Sequence, residues 1–228
     1  MRVEIFPDAQ SASRRSAELI AQWARQSLAE RGRFVMALSG GTEPWQAFRM
    51  LSGMPLEWRG IQLLQVDERV APPGDAARNL THLRESLIAR VPLGDAQWHA
   101  MPVEEPDLNA AAERYAGLLR RIAGTPPELD LVHLGLGEDG HTASLAPGDP
   151  VVEERDRDVA LSREFRGHRR MTLTFPAINR ARRILWLVVG ARKAGALARL
   201  LAGRSPDPAG RVREDIATLI ADRAALPA

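Results

Sequence analysis

The sequence predicts an α/β protein whose mostly parallel sheet is covered by helices on both faces. Short apolar runs alternate along the chain with longer segments that have amphipathic, helical periodicity. Most of the short runs are continuously apolar, which is typical of parallel strands that are buried on both faces. We therefore expect right-handed crossovers between strands and ligand sites at the carboxyl ends of the strands.

The elements follow from these runs in chain order. Strands are predicted at residues 3–6, 34–38, 61–66, 97–100, 129–134, 170–174 and 184–189. Helices are predicted at residues 11–31, from about 44, and at 79–89, 107–122 and 192–201, with a short helical turn after 174. Pro44 suits the first turn of its helix because a proline lacks the N–H that remains unpaired there.

Two polar connections, at residues 71–78 and 146–158, are rich in proline, glycine and charge, which suits surface loops or a lid. The chain has no internal repeat and no long linker. A chain of 228 residues can bury roughly 70% of its unfolded surface in one core. We therefore predict a single domain over residues 1–228.

The charge balance does not favour a nucleic-acid partner. The formal net charge is only +2, from 31 basic and 29 acidic residues. The densest basic run, residues 163–170, contains Phe165 as its only aromatic residue, so we interpret this run as solvated surface. We expect a monomer or a small homo-oligomer that binds a small molecule.

The residue types also exclude several kinds of site. The chain has no cysteine, which excludes disulfides, thiolate nucleophiles and thiolate-ligated metals and fits a cytoplasmic location. No apolar run approaches the ~18 residues of a membrane span, so we expect a soluble, uncleaved protein. No two histidines are spaced as i, i+4 and no G-x-S-x-G motif occurs. We therefore expect neither a metal nor a serine nucleophile.

The stretch "LSGGTEP" places Ser39, Gly40, Gly41 and Thr42 between a strand and a helix. Glycines permit close approach of a ligand, and the N–H groups at a helix N-terminus suit a phosphate. The alternative is an ordinary tight turn with Thr42 as the N-cap. The stretch is not a P-loop, because no Gly-Lys-Ser/Thr follows.

The stretch "VDERV" presents Asp67, Glu68 and Arg69 after the strand at 61–66. Such a cluster is often only solvated charge. At the carboxyl end of a buried strand, however, a carboxylate can orient a base and an arginine can bind a phosphate through two donors.

The stretch "GLGEDGHTASLAP" matches the dinucleotide pattern G-x-G-x-x-G through Gly135, Gly137 and Gly140. We do not favour a dinucleotide, because Pro147 and Gly148 soon break the expected helix and the two acids after Gly137 would repel a pyrophosphate.

The same glycines permit a histidine to stand free of the backbone beside a ligand. His141 is then a candidate general base, since imidazole accepts a proton near neutral pH. Asp139 or Asp67 is placed to fix its tautomer. The alternative is a structural histidine in a tight loop.

Two cations complete the set of candidates. Arg170 stands at the start of the strand at 170–174, and Lys193, the only lysine of the chain, follows the strand at 184–189. Either is an ordinary solvated base or a contact for a sugar or phosphate.

Six stretches together resemble the 6-phosphogluconolactonase family, in this order and across nearly the whole chain. They are "LSGGTEP", "VDERV", "RNLTHLRESLI", "LGLGEDGHTASLAP", "RRMTLTFPAINRA" and "LVVGARKAGAL". The resemblance implies a Rossmann-like sheet, as in glucosamine-6-phosphate deaminases and ribose-5-phosphate isomerases. It also implies hydrolysis of 6-phosphogluconolactone in the oxidative pentose phosphate pathway, without a metal or organic cofactor.

The resemblance further implies roles for individual residues. His141 would activate water and Asp67 would help to position the reacting groups. The implied contacts to substrate are Ser39, Gly40, Gly41, Thr42, Arg69, Asn79, Gly140, Arg170 and Lys193. Two positions depart from the family: Arg78 precedes Asn79 where a serine is usual, and Glu43 replaces a threonine. An acid at position 43 would oppose a phosphate unless its side chain turns away.

Two other functions are compatible with parts of this pattern. A deaminase of the same superfamily would carry a glutamate five residues after the histidine, where this chain has Ala146. A sensor that binds a sugar phosphate without turnover would keep the cations but would not need His141.

Overall fold

A computed structural model describes residues 1–203 and 205–227, and its centre is a parallel sheet of seven strands. The strands of the protein are β1 Arg2–Phe6, β2 Phe34–Leu38, β3 Ile61–Gln65, β4 Asp67–Arg69, β5 Trp98–His99, β6 Leu131–Gly135, β7 Val159–Phe165, β8 His168–Leu173, β9 Ile184–Val188 and β10 Ala217–Asp222. The parallel sheet has the order β1-β10-β9-β6-β2-β3-β5. A separate antiparallel sheet has the order β4-β8-β7.

Helices cover both faces of the parallel sheet. They are α1 Ala9–Arg31, α2 Thr42–Ser52, α3 Asn79–Ser86, α4 Leu108–Ala123, α5 Phe175–Asn179 and α6 Ala194–Leu201. Along β2, Met36 and Leu38 pack in one apolar cluster with α1 and α2, whereas Val35 and Ala37 pack in another with α4 and α6. This double burial explains the continuous apolar run of β2.

Among the helices of the described ranges, none is both long and apolar enough to cross a bilayer.

Local capping sets the ends of α1. The Asp8 carboxylate accepts a hydrogen bond from the backbone N–H of Ser11 at 2.7 Å, so the helix begins two residues before the predicted start at 11. At the other end, Gly32 has a φ of 70° and donates to the carbonyl of Leu28. A left-handed glycine of this kind commonly ends a helix.

The predicted α/β class is confirmed, with one difference in topology. The strand predicted at 170–174 corresponds to β8, which lies in the antiparallel sheet rather than the parallel one. Three strands were not predicted: β4, β7 and β10. The β4 segment is short and fully charged and β7 lies in an arginine-rich stretch, so neither has the apolar run of a buried strand.

Candidate active site

A cleft lies where the carboxyl ends of β2, β3, β6 and β9 meet at one edge of the parallel sheet, and its empty volume, which includes space open to solvent, is about 700 Å³. The loops after these strands converge because all of the strands run in the same direction. The predicted site residues that line the cleft are Ser39, Gly40, Gly41, Asp67, Arg69, Asn79, His141, Arg170 and Lys193. Polar groups from separate segments of the chain therefore face one space.

The other three predicted residues lie outside this lining. Gly41 is the N-cap of α2 and Thr42 is its first residue, so the expectation of Thr42 as the N-cap is wrong. Gly140 packs against Asp207, and a Cβ atom at Gly140 would come within 2.3 Å of that side chain. Asp139 does not line the cleft itself but contacts His141 and Arg166, which do. The substrate contacts expected of Thr42 and Gly140 stay predictions.

The loop after β6 holds the His141 ring close to a glycine. A Cβ atom on Gly137 would lie 2.0 Å from Nδ1 of His141, so a larger residue would displace the ring. The His141 Nδ1 lies 2.5 Å from Oδ1 of Asp139. This contact fixes Nδ1 as the donor, which leaves Nε2 as the acceptor. Among the described residues, Nε2 has no hydrogen-bond partner, and His141 lines the cleft.

Opposing effects set the protonation of His141. Burial lowers the pKa of its imidazole below the usual value, and the nearby Arg166 acts in the same direction. The hydrogen bond and charge of Asp139 raise the pKa again, with a smaller contribution from Asp67, but burial dominates. The imidazole is therefore neutral at pH 7 and can accept a proton.

A hydrogen-bond network fixes the Asp67 carboxylate at the cleft. The Ser144 hydroxyl donates to one oxygen at 2.6 Å, and the Asn79 side-chain amide donates to the other at 3.3 Å. Asp67 is buried, so these donors replace the water that a charged carboxylate requires.

Within residues 1–203 and 205–227, no three His, Cys, Asp or Glu residues are grouped so that they could hold a metal ion.

Glu68, the next residue, points away from solvent and anchors α3. Its side chain is fully buried and accepts hydrogen bonds from the backbone N–H groups of Asn79 and Leu80 at 2.7 and 2.8 Å. It also lies 3.2 Å from the buried guanidinium of Arg78. Arg78 is the N-cap residue of α3, but its side chain does not cap the helix. Glu68, on strand β4, accepts hydrogen bonds from the first N–H groups of α3 in its place.

Three of the predicted cations line the same cleft. Arg69 and Arg170 are directly opposite each other in the β4–β8 pair, and both line the cleft with Lys193. The Nε atoms of Arg69 and Arg170 are buried, and neither has a hydrogen-bond partner among the described residues. Arg69, Arg170 and Lys193 together favour an anionic ligand in the cleft, because hydrogen bonds between charged donors and an anion are strong.

The glycine turn after β2 approaches the cleft through its backbone. A Cβ atom on Gly40 would lie 1.9 Å from Oδ1 of Asn79, so no side chain fits there. The Ser39 hydroxyl lies 3.0 Å from Nδ1 of His133, whose pKa is lowered by burial to about 3. His133 is therefore a neutral, packed residue. Glu43 also lines the cleft.

Sequence reasoning missed Arg166 as a residue of the cleft. The run 163–170 was interpreted as solvated surface, and Arg163 and Arg169 are indeed exposed. Arg166, however, lines the cleft from the turn between β7 and β8. Gly167 is compatible with a tight turn between two strands, but this signal can be used only after β7 has been recognised as a strand.

The chain is similar to known proteins over nearly its whole length. The family model described as "Glucosamine-6-phosphate isomerases/6-phosphogluconolactonase" matches residues 7–220. A 6-phosphogluconolactonase of a Nostoc species is 33% identical over 209 residues, which cover 90% of this chain and 87% of that protein.

Solved structures show the same fold. The structure of a 6-phosphogluconolactonase from Thermotoga maritima has a TM-score of 0.85 and 26% identity, with 97% of this chain and 98% of that chain covered. A monomeric glucosamine-6-phosphate deaminase has a TM-score of 0.84 and 21% identity, with 99% and 98% covered, and shows that the fold is shared across activities. The match over residues 7–220 and the 33% identity to the Nostoc protein show that the chain belongs to the family of glucosamine-6-phosphate isomerases and 6-phosphogluconolactonases.

Proposed function

We propose that this chain hydrolyses 6-phospho-D-glucono-1,5-lactone to 6-phosphogluconate, as in the oxidative pentose phosphate pathway. The observation that carries the proposal is His141, which is held by Asp139 and lines a cleft together with Arg69, Arg170 and Lys193. Relatives named 6-phosphogluconolactonase support the choice of substrate. The lactone is an ester, whose hydrolysis a base can assist, and its phosphate is an anion that the cations of the cleft can bind.

His141 acts as the general base in this proposal. Its Nε2 takes a proton from a water molecule as the water oxygen attacks C1 of the lactone. When the ring ester bond breaks, the same proton passes to the leaving ring oxygen. Asp139 holds the imidazole in the required tautomer and stabilises the imidazolium that forms. A δ-lactone is already reactive, so this chemistry does not require a covalent nucleophile.

The phosphate binds to Arg69, Arg170 and Lys193, with the N-terminus of α2 behind the Gly40-Gly41 turn as a further source of N–H donors. This binding is remote from the scissile bond, and its free energy holds C1 against the attacking water. Asp67 accepts hydrogen bonds from Asn79 and from Ser144, so Asp67 and Asn79 present fixed polar groups to the sugar.

The deaminase alternative lacks its expected carboxylate. The position five residues after His141 is Ala146, which is buried and does not line the cleft. Release of ammonia from glucosamine 6-phosphate would therefore overturn the assignment. A sensor without activity is excluded if the purified chain accelerates lactone opening.

Arg69→Ala tests the phosphate site. We expect the KM for the phosphorylated lactone to rise about tenfold to a hundredfold, because a charge-assisted hydrogen bond is lost. The KM for unphosphorylated glucono-1,5-lactone should change little, so the preference of the enzyme for the phosphorylated lactone should decrease. Arg169→Ala, which removes an exposed arginine nearby, is the matched control. Unchanged discrimination in Arg69→Ala would show that Arg69 does not bind the phosphate.

Asp139→Asn tests the tautomer and the pKa of His141. Asp139 raises the pKa of this imidazole, so its removal lowers the pKa further. The base works in its neutral form, and the acid limb of kcat/KM therefore moves to lower pH. The plateau rate should fall at least about tenfold, because an amide lacks the negative charge that stabilises the imidazolium and its NH2 group can donate to Nδ1 and hold the wrong tautomer. We would measure kcat/KM from about pH 5 to about pH 8; an acid limb that moves to higher pH would contradict this account.

A further inference from the structure

The turn between β7 and β8 directs one arginine at the cleft. Arg166 and Gly167 form the two central residues of the turn, with φ values of 53° and 83°. Positive φ at both positions is the mark of a type I′ hairpin turn, and residues other than glycine, asparagine and aspartate are uncommon there. Arg166 nevertheless occupies this conformation, and its side chain lines the cleft.

A β-bulge places Phe165 beside the same site. Ser162 pairs with Arg170, but Phe165 pairs with His168, so β7 has one more residue than β8 between the two pairs. The extra residue turns Phe165 to the face of the hairpin that carries Arg170. Its ring centroid lies 5.1 Å from that of His141 in an edge-on contact, and 5.0 Å from the guanidinium of Arg170.

Arg166 therefore lies at the end of the cleft that holds the base. Its guanidinium is 3.8 Å from Oδ2 of Asp139, whereas Oδ1 of the same carboxylate holds His141. A separation of 3.8 Å is too long for a hydrogen bond. The side chain is 57% exposed, and no hydrogen bond joins its guanidinium to another of the described residues. Its donors are consequently available to a ligand beside His141.

We propose that Arg166 is a further catalytic residue, which donates to the C1 carbonyl oxygen of the lactone as negative charge develops there. This proposal rests on the proposed function. Attack by water forms the new C1–O bond and moves the carbonyl electron pair onto oxygen, while Nε2 of His141 takes the proton. When the carbonyl re-forms, the bond from C1 to the ring oxygen breaks and that oxygen receives the proton. Arg166 gains and loses no proton, and afterwards it faces the product carboxylate.

The position of Arg166 distinguishes it from the phosphate ligands. Arg170 is buried on the hairpin, whereas Arg166 is at the exposed tip and next to the Asp139–His141 pair. A guanidinium at the reacting end contacts charge that appears during the reaction, so its removal lowers kcat. A phosphate contact would instead be present throughout the reaction and would mainly alter KM.

The test compares Arg166→Gln with wild type on the phosphorylated lactone and on glucono-1,5-lactone. We expect kcat to fall at least about tenfold on both substrates, since a charge-bearing donor is lost from the oxyanion. Arg163→Gln removes an exposed arginine of the same hairpin that lies outside the cleft. This control should leave kcat unchanged on both substrates. Arg166→Lys, which keeps the charge, should recover part of the loss. An effect confined to the phosphorylated lactone would make Arg166 a phosphate ligand and overturn the proposal, as would unchanged kcat.

A binding measurement separates this proposal from the proposed function. 6-Phosphogluconate and glucitol 6-phosphate share a phosphate, but only the former has a carboxylate at C1. Arg166→Gln should weaken binding of 6-phosphogluconate at least about threefold and leave glucitol 6-phosphate unchanged. Equal weakening of both, or of neither, overturns the role at C1. If wild type hydrolyses neither lactone, the proposed function fails, while the binding comparison still decides whether Arg166 recognises the carboxylate.

Discussion

Replacing His141 with alanine lowers kcat for hydrolysis of the phosphorylated lactone by at least about 10²-fold. The variant loses Nε2, the only nitrogen of this ring that is free to take a proton from water, because Nδ1 is held by Asp139. Binding of 6-phosphogluconate should be largely intact, since Arg69, Arg170 and Lys193 are unchanged.

The measurement requires kcat and product affinity in the same preparation. His99→Ala removes a histidine that does not line the cleft and serves as the matched control. Retained kcat in His141→Ala would remove His141 from the mechanism. A parallel loss of kcat and of product binding would indicate that the ring is structural and would also contradict the proposed role.

Replacing Glu68 with alanine lowers the free energy of unfolding by about 3–5 kcal/mol. The buried Arg78 guanidinium loses its buried partner, and the N–H groups of Asn79 and Leu80 at the start of α3 lose their acceptor. The damage should reach the cleft, because Asn79 also holds Asp67.

Urea denaturation of Glu68→Ala and Glu104→Ala tests this expectation. Glu104 contacts the same arginine at 2.9 Å, but its side chain is half exposed, so its removal should cost less than about 1 kcal/mol. Similar losses of unfolding free energy in the two variants would show that the burial of Glu68 does not determine how much it stabilises the fold.

The sequence was sufficient to predict the parts of the site that lie within single loops. Asp139 and His141 are two residues apart in a glycine-rich loop, and the expected contact between them is present. The gathering of loops at one sheet edge also follows from a parallel α/β sheet. The catalytic and binding roles of these residues stay predictions.

Contacts between distant segments could not be predicted from local pattern. Ser144 and Asp67 are 77 positions apart, and only the folded chain brings them within 2.6 Å. Glu68 looked like one member of a charged cluster, because its burial depends on α3 and Arg78. Arg166 was missed for a similar reason. The position of its side chain depends on the β7–β8 hairpin, and β7 has no clear apolar alternation in the sequence.

The most direct test of the proposed lactonase activity is the release of 6-phosphogluconate from freshly prepared 6-phosphogluconolactone near pH 7. The rate with wild-type protein is compared with spontaneous opening of the lactone and with the His141→Ala variant. Our account predicts a rate well above the spontaneous one for wild type and a rate close to it for the variant. A folded wild-type protein that does not accelerate the reaction would contradict the account.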